Sequence, residues 1–135
     1  MADNREIFEI EIISPDEVFY SGSVAFVEFT AVTGEMGVYR NHIPLTTILE
    51  PCVMALHSGE DIKKCAILGG FVEIQKEKIT VMAEDAQWPD EIDLDRAKAA
   101  AKRAEDRIAN KASGTDVKRA EVALKKALAR MNTAE

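Results

Sequence analysis

The sequence predicts an α+β protein, in which a sandwich or barrel of short strands is followed by an antiparallel two-helix hairpin. Up to about Ala83, short apolar runs alternate with turn residues and no helical period intervenes, which is typical of an all-β unit. Beyond Pro89 the composition changes to Ala, Lys, Arg and Glu, and apolar residues recur at helical spacing. We therefore divide the 135-residue chain near Trp88, into a strand-forming unit of residues 1–88 and a helical unit of residues 89–135.

The first strand shows the alternation expected of a strand that is buried on one side. Phe8, Ile10 and Ile12 fall on one face, and Glu9 and Glu11 fall on the other. The apolar face is therefore expected to point into the core.

Turn residues divide the rest of this unit into further strands. Ser14–Glu17 and Ser58–Asp61 are predicted turns. Gly69–Gly70 is expected to open a strand, which pairs with the next strand across a connection at Lys76–Glu77. Because a type I′ turn needs positive φ at both central positions, a Lys-Glu pair suits it poorly, and we expect a longer connection.

Two helices are predicted from apolar residues at alternating spacings of three and four. The seam positions are Leu94, Ala97, Ala101, Ala104 and Ile108 in the first helix and Val117, Ala120, Leu124, Ala127 and Met131 in the second. We expect Asp90 or Asp93 to cap the first helix and Thr115 with Asp116 to cap the second, with Gly114 in the link between them.

The alanine-rich seam predicts a hairpin of marginal stability. Each alanine in place of leucine removes about 0.8 kcal/mol of apolar burial per missing carbon, whereas the helix propensity of the segment is high. Each helix is therefore expected to persist when the pair separates and packs on another surface. A static helical appendage is the alternative that the periodicity leaves open.

Charge is distributed unevenly along the chain. Residues 1–90 contain six basic and sixteen acidic residues, a net charge of −10, whereas residues 91–135 contain eleven basic and eight acidic residues, a net charge of +3. The acidic part argues against nucleic acid as its partner, and the basic tail favours an acidic partner.

The two cysteines and the N-terminal residues indicate the compartment. Cys52 and Cys65 lie in apolar strand-like segments without metal-ligand spacing, and we interpret them as reduced core residues. The first residues lack the features of a targeting leader, and no run reaches the roughly 18 apolar residues that span a bilayer. We expect a soluble, cytoplasmic chain.

The sequence offers little for catalysis or metal binding. His42 and His57 are the two histidines, and no His, Cys and carboxylate cluster has metal-ligand spacing. The remaining candidates are serines outside any nucleophile motif and adjacent carboxylates that point apart on a strand, namely Ser21, Ser23, Ser58, Glu84 and Asp85. We expect no catalytic residue, no metal and no required cofactor.

The stretch Gly34–Leu45, GEMGVYRNHIPL, is predicted to be an exposed turn. It does not fit a phosphate-binding loop, because no lysine follows the second glycine and no helical pattern begins there. Its glycines tolerate positive φ, Asn41 visits the left-handed region readily, and Pro44 fixes the chain. Exposed loops of this kind are natural sites for partner contacts.

Four segments in this order and spacing resemble the epsilon subunit family of bacterial F-type ATP synthases. They are GEMGVY followed by the His42 and Pro44 positions, then LGGFVEI, ITVMAE and EIDLDRAKAAAKRAE. The resemblance covers nearly the whole chain. It implies a flattened β-sandwich of about ten strands followed by the helical hairpin.

The resemblance also implies a set of partners. In that family the sandwich lies at the foot of the central stalk, against the gamma subunit and the ring of membrane c subunits. The matched docking residues are Gly34, Glu35, Met36, Gly37, Tyr39, Arg40, His42 and Pro44. Arg40-Asn41 replaces the usual Pro-Gly of the family, which alters the detail of the ring contact.

The helices of the family fold down on the sandwich or extend along gamma, where basic residues meet acidic loops of the catalytic beta subunits and block ATP hydrolysis. Some members bind ATP on the folded hairpin. The matched positions are Ile92, Asp93, Arg96, Ala97, Arg103, Lys126 and Arg130. Since Lys126 replaces an arginine, we expect weak ATP binding at most, and solvated helix charges are the alternative.

The resemblance therefore implies a non-catalytic rotor subunit. Such a subunit couples proton translocation to ATP synthesis and inhibits ATP hydrolysis through its helices. Its partners are the gamma subunit, the c-ring and the alpha and beta subunits, and it is a peripheral subunit at the cytoplasmic face of the bacterial plasma membrane. The competing interpretation is a stand-alone β-sandwich binding module with a helical dimerisation tail.

Overall fold

The computed structural model describes residues 7–110 and 116–135, and within them eight strands precede two helices. The strands are β1 (Phe8–Ile13), β2 (Val18–Val24), β3 (Phe26–Ala31), β4 (Gly34–Val38), β5 (Leu45–Ser58), β6 (Asp61–Ile74), β7 (Lys78–Ala83) and β8 (Ala86–Gln87). A 3₁₀ turn at Pro89–Glu91 leads to α1 (Leu94–Asn110), and α2 (Val117–Ala134) follows.

The strands form one hydrogen-bonded sheet in the order β2-β1-β7-β6-β5-β3-β4, with β8 paired to β6. Only the β1–β7 pairing is parallel among these strands. The sheet folds over so that inward side chains from β1 to β7 share one core, to which Phe8, Ile10 and Ile12 contribute as predicted. Because β2 and β4 remain unjoined edges, the result is the predicted sandwich and not a closed barrel.

Strands β5 and β6 are the long elements that connect the two layers. Each has 14 residues, and they pair with each other in antiparallel register. Glu50 and Gly69 are skipped in that register, which interrupts the ladder near its middle. The described residues therefore contain eight strands, where the family resemblance implies about ten, because β5 and β6 each continue through the interruption as one strand.

Gly69–Gly70 lies inside β6, so the prediction that it opens a strand is wrong. Their φ angles are 99° and 127°. A Cβ on Gly70 would overlap the carbonyl oxygen of Met82. Glycine at this position therefore permits the close approach of β7, and the strand continues through it.

The predicted turns form, and one connection is longer than two residues. Ser14–Glu17 is closed by backbone hydrogen bonds in both directions, at 2.9 and 3.4 Å. Gly59, with φ of 62°, turns the chain from β5 into β6. Residues 75–77 connect β6 to β7, and among the described non-glycine residues only Asn41 has positive φ, so this connection is not a type I′ turn.

The helices are capped and buried largely as predicted. Asp93 Oδ1 accepts from the Arg96 amide at 3.1 Å, and Asp116 Oδ1 accepts from the Arg119 amide at 3.2 Å. Gly114 and Thr115 lie outside the described residues. The buried seam positions are Ala97, Ala101, Ala104, Ala120 and Ala127.

Helix α2 also buries residues outside the seam with α1, which the seam pattern does not predict. Ala129 packs against Ala66 and Leu68 of β6, with Ile92 at the edge of the contact. Thr133 is likewise buried. Helix α1 packs mainly against α2, so α2 is the helix that joins the hairpin to the sandwich.

Trp88 anchors the segment between the two units. Its ring stacks on Phe19 with 4.5 Å between centroids and meets the edge of Tyr20 at 5.8 Å. Because contacts cross from hairpin to sandwich on either side of Trp88, the exact division at that residue stays a prediction.

Both cysteines are buried and unbridged, as the sequence predicts. Burial raises the pKa of the Cys65 thiol to about 12 and raises the pKa of Cys52 as well. The thiols are therefore protonated at neutral pH. Neither of the two described helices is long and apolar enough to cross a membrane.

Candidate functional site

The predicted docking residues are divided between a strand and a loop. Gly34–Val38 forms β4, an edge strand paired with β3, so the prediction of a turn across these residues is wrong. Met36 packs against the core and Val38 is buried, because alternate side chains of the strand point inward. Of the two glycines whose tolerance of positive φ favoured a turn, Gly34, at the start of the strand, has a positive φ of 127° and Gly37 does not have a positive φ.

Residues 39–44, which follow β4, form what we call the docking loop. Asn41 has φ of 66°, which confirms the predicted left-handed residue. Its amide donates to the carbonyl oxygen of Lys76 at 2.8 Å. Beside it, Arg40 Nη2 lies 3.1 Å from Glu77 Oε1. The loop is therefore fastened to the β6–β7 connection.

Aromatic packing holds the start of the docking loop. The rings of Tyr39 and Phe26 stack with 4.3 Å between centroids. A Cβ on Gly37 would lie 2.7 Å from the Phe26 ring, so the absence of a side chain at Gly37 leaves room for that ring. This is the structural reason for the second glycine of GEMG, in place of the predicted positive φ.

The tip of the docking loop is exposed and largely apolar. Ile43 is 79% exposed and Tyr39 is 64% exposed. His42 Nδ1 lies 2.7 Å from the carbonyl oxygen of Ile43, and the proton of a hydrogen bond between them must come from the ring nitrogen. Glu35 and Pro44 are also exposed.

A second apolar surface lies on the outer face of the sheet, and the sequence analysis missed it. Phe71 is the cross-strand partner of Ile48 on β5 and of Met82 on β7, so the three side chains form an apolar row. All three are exposed, and they line a cavity of about 690 Å³ that Val122 of α2 borders. The signal in the sequence was apolar residues at outward as well as inward strand positions.

Five of the seven predicted nucleotide-site residues line one cleft of about 370 Å³ between the hairpin and β8. They are Asp93, Arg96, Ala97, Arg103 and Arg130, and the cleft is completed by Gln87, Glu91 and Ala100. The cleft thus contains three guanidinium groups and two carboxylates. Arg130 Nε donates to Gln87 Oε1 at 2.7 Å, which fixes one side of the cleft.

The other two predicted residues lie elsewhere. Ile92 packs beside Ala129 at the junction with β6. Lys126 lines the apolar cavity, with Val122, and not the cleft. The prediction that Lys126 belongs to the same site is therefore not supported by its position, because α2 directs it to a different cavity.

Metal chemistry finds no support in the described parts of the chain. Within residues 7–110 and 116–135, no three or more His, Cys, Asp or Glu residues come together in a way that holds a metal ion. The candidate functional features of these residues are two apolar surfaces and a cleft that contains three arginines.

Two family models match the chain in consecutive parts. The beta-sandwich domain of the ATP synthase delta/epsilon chain matches residues 7–89, and the long alpha-helix domain of the same chain matches residues 90–135.

Full-length relatives show the same likeness. The ATP synthase epsilon chain of Desulforamulus reducens is 40% identical over 126 residues, which cover 93% of this chain and 96% of that protein. The ATP synthase epsilon chain of Caldanaerobacter subterraneus subsp. tengcongensis is 38% identical over 128 residues, with coverage of 94% and 93%.

Solved structures resemble the fold. A chain of the Euglena gracilis mitochondrial ATP synthase, solved as an OSCP/F1/c-ring assembly, has a TM-score of 0.76 at 22% identity over 90% of this chain and 77% of its own length. A chain of the Tetrahymena thermophila mitochondrial ATP synthase central stalk and c-ring has a TM-score of 0.56 at 12% identity, over 93% of this chain and 92% of its own length.

The fold, the two consecutive family matches and the relatives matched over more than nine tenths of their length agree. This chain belongs to the ATP synthase delta/epsilon chain family.

Proposed function

We propose that the chain is the rotor subunit of an F-type ATP synthase that links the gamma subunit to the c-subunit ring in the central stalk. It couples proton translocation to ATP synthesis and has no catalytic role of its own. The observation that carries this proposal is the exposure of two apolar surfaces, the tip of the docking loop and the apolar row, on the sandwich of a chain whose relatives are ATP synthase epsilon chains.

The docking loop is the contact with the c-ring. It presents Tyr39 and Ile43 to solvent, while its backbone is fastened to the β6–β7 connection. A loop that is already ordered loses little conformational entropy on binding, so its apolar tip suits a partner surface. Of the two positions that the family resemblance assigns to the ring contact, His42 lies within the docking loop and Glu35 lies in β4, the strand that leads into it.

The apolar row is the contact with gamma. Its three members, Ile48, Phe71 and Met82, are exposed in the isolated chain. Large exposed apolar patches mark interaction sites in soluble proteins. Ile48 lies three residues beyond Leu45, the first residue of β5, so the row is about 10 Å along β5 from the residue that follows the docking loop. One subunit can therefore touch two partners.

The hairpin is the inhibitory element, and its closed form is the one described above. Lys125 pairs with Glu50 at 3.2 Å and Arg130 pairs with Gln87 at 2.7 Å, so two cations of α2 are occupied by the sandwich. When the hairpin opens, Lys125 and Arg130 are released and can contact acidic loops of the beta subunits, which adjoin the alpha subunits in the complex. The small alanine contacts at Ala129 favour a junction that separates readily.

The cleft is a weak, regulatory site for ATP. Arg96, Arg103 and Arg130 suit phosphate, since guanidinium groups bind it in a bidentate manner. Glu91 and Asp93 oppose the charge of phosphate from the same cleft. A bound nucleotide would stabilise the closed hairpin, and isothermal titration at micromolar affinity would contradict the weakness of the site.

Assembly with the c-ring makes the subunit peripheral to the membrane, and in bacteria we expect it at the cytoplasmic face of the plasma membrane.

The proposed function is tested with ATP synthase stripped of this subunit. Adding the chain back should restore ATP-driven proton pumping, and the chain should co-purify with gamma, alpha and beta. A homodimer that binds none of them would support a stand-alone module with a dimerisation tail.

Removing residues 91–135 separates the two parts of the proposal. Pumping should persist, because the docking loop and the apolar row remain, while ATP hydrolysis by the complex should increase. Unchanged hydrolysis would overturn the inhibitory role and leave the rotor role intact.

A further inference from the structure

We propose that Glu77, in the β6–β7 connection, is a positioning residue that holds the docking loop in its binding conformation through Arg40. This inference rests on the proposed function, because it assigns to the docking loop the contact with the membrane ring. It adds a residue that lies outside the loop in sequence and is not itself required to touch the partner.

Two adjacent residues of the loop are joined to two adjacent residues of the connection. Asn41 donates its amide to the carbonyl oxygen of Lys76 at 2.8 Å, and Arg40 Nη2 meets Glu77 Oε1 at 3.1 Å. The backbone bond fixes the position of the loop, and the ion pair fixes the side on which Arg40 lies. Together they restrain both the path and the rotation of the loop.

The connection that receives these contacts is itself held in place. The carbonyl oxygen of Glu77 accepts from the amide of Glu9 in β1 at 3.0 Å. The amide of Gln75 donates to the carbonyl oxygen of Lys78 at 2.9 Å across the turn. A side chain on this connection therefore acts from a fixed base and can restrain a loop.

The opposite side of the docking loop is fixed by packing. Val38 is buried at the end of β4, and Tyr39 stacks on Phe26. Beyond Asn41, the His42 ring nitrogen lies 2.7 Å from the carbonyl oxygen of Ile43, and the chain rejoins the sheet at Leu45, which pairs with Ile74. The Arg40–Glu77 pair thus lies between the ordered strand and the exposed tip, where its loss has most effect on Ile43.

This arrangement accounts for the Arg40-Asn41 sequence. A Pro-Gly pair, as in the family that the chain resembles, fixes φ through the proline ring and allows a left-handed residue after it. Here Asn41 adopts the left-handed conformation, with φ of 66°. The rigidity that proline would supply comes from the bond between Arg40 and Glu77. Since their side chains are 31% and 72% exposed, the restraint is modest and sensitive to salt.

The test uses Glu77→Gln, which removes the charge and keeps the size of the side chain. Amide hydrogen exchange at Asn41 and Ile43 in the isolated chain should become about threefold faster, and binding to ATP synthase lacking this subunit should weaken about threefold. Glu60→Gln makes the same change in the β5–β6 turn at the other end of β6, and it should alter neither measurement.

Charge exchange tests the pairing itself. Arg40→Glu and Glu77→Arg should each speed exchange and weaken binding, and the double variant should restore both toward wild type. A purely structural role would change thermal stability, which we expect to stay the same in Glu77→Gln. Failure of the double variant to recover, or unchanged exchange in Glu77→Gln, would overturn the inference.

The outcomes separate this inference from the function on which it rests. If the wild-type chain fails to bind the depleted synthase, the proposed function is wrong. If the wild-type chain binds and Glu77→Gln binds equally well despite faster exchange at Asn41, the role of Glu77 in positioning is wrong and the function stands.

Discussion

Lys125 on α2 and Glu50 on β5 form an ion pair across the junction of hairpin and sandwich, with 3.2 Å between Nζ and Oε2. Glu50 lies where the β5–β6 ladder is interrupted, so the irregular point of the sheet is also a contact point for the helix. The lysine belongs to the basic tail. If the hairpin opens as proposed, this pair is lost and the Lys125 cation becomes available to an acidic partner.

Glu50→Gln should shift the hairpin toward the open form. The substitution removes the ion pair, and an exposed pair of this kind contributes about 0.2–1 kcal/mol. The open fraction should rise by no more than about fivefold. Distance distributions between spin labels in the β5–β6 turn and on α2 would measure the change. Glu105→Gln, on the exposed side of α1, is the matched control, and an identical shift in both variants would contradict a specific role for Glu50.

Ala129→Asp should open the hairpin further than loss of the ion pair. Ala129 is buried against Ala66 and Leu68, whose apolar side chains cannot form a hydrogen bond or an ion pair with a carboxylate. Burying an unpaired carboxylate costs more than about 1.4 kcal/mol, the free energy that corresponds to a tenfold change in the ratio of open to closed hairpin. Cys52 is 7% exposed in a small cavity bordered by α2, so its labelling by a thiol reagent should become roughly tenfold faster or more.

Two controls accompany the labelling measurement. Both thiols belong to the sandwich core, but Cys52 also borders the cavity beside α2, so the labelling of Cys65 should stay slow when only the hairpin moves. Ala123→Asp places the same charge on the exposed side of α2 and should leave Cys52 protected. Equal acceleration at both cysteines would indicate global unfolding in place of hairpin opening.

Gly70→Ala should destabilise the sandwich by about 3 kcal/mol or more, because a Cβ there meets the carbonyl oxygen of Met82 and the backbone has positive φ. Gly59 also has positive φ, but a Cβ there has no atom within 4 Å. Gly59→Ala should therefore cost only about 1–2 kcal/mol. Urea unfolding of both variants measures the difference, and equal losses would show that the close approach of β7 contributes nothing.

Patterns confined to one element were predictable from the sequence. The alternation of Phe8, Ile10 and Ile12 places their strand against the core, and the alanine period places Ala101 in the helical seam. Each depends only on the period of a single strand or helix. The division into strands followed by helices is predictable for the same reason.

Features that depend on distant residues were not predictable in this way. Gly37 suggests a turn locally, yet β4 forms because β3 supplies its hydrogen bonds and Phe26 fills the space beside the glycine. Gly70 suggests a break, yet the approach of Met82 requires it within a continuous strand. Lys126 was matched to the nucleotide site by position in the chain, but the seating of α2 on the sheet decides which cavity it lines.

Phe71→Glu should weaken binding to the gamma subunit by about tenfold or more, because it places a charge in the middle of the apolar row, between Ile48 and Met82. Phe71 is 42% exposed in the isolated chain, so the loss of stability should be small.

Ile62→Glu is the matched control, since Ile62 is 54% exposed near the β5–β6 turn, away from the row. Binding of labelled chain to purified gamma measures both variants. If both bind gamma as tightly as wild type, the apolar row is not the gamma contact; if both weaken equally, general exposure of charge and not the row is responsible.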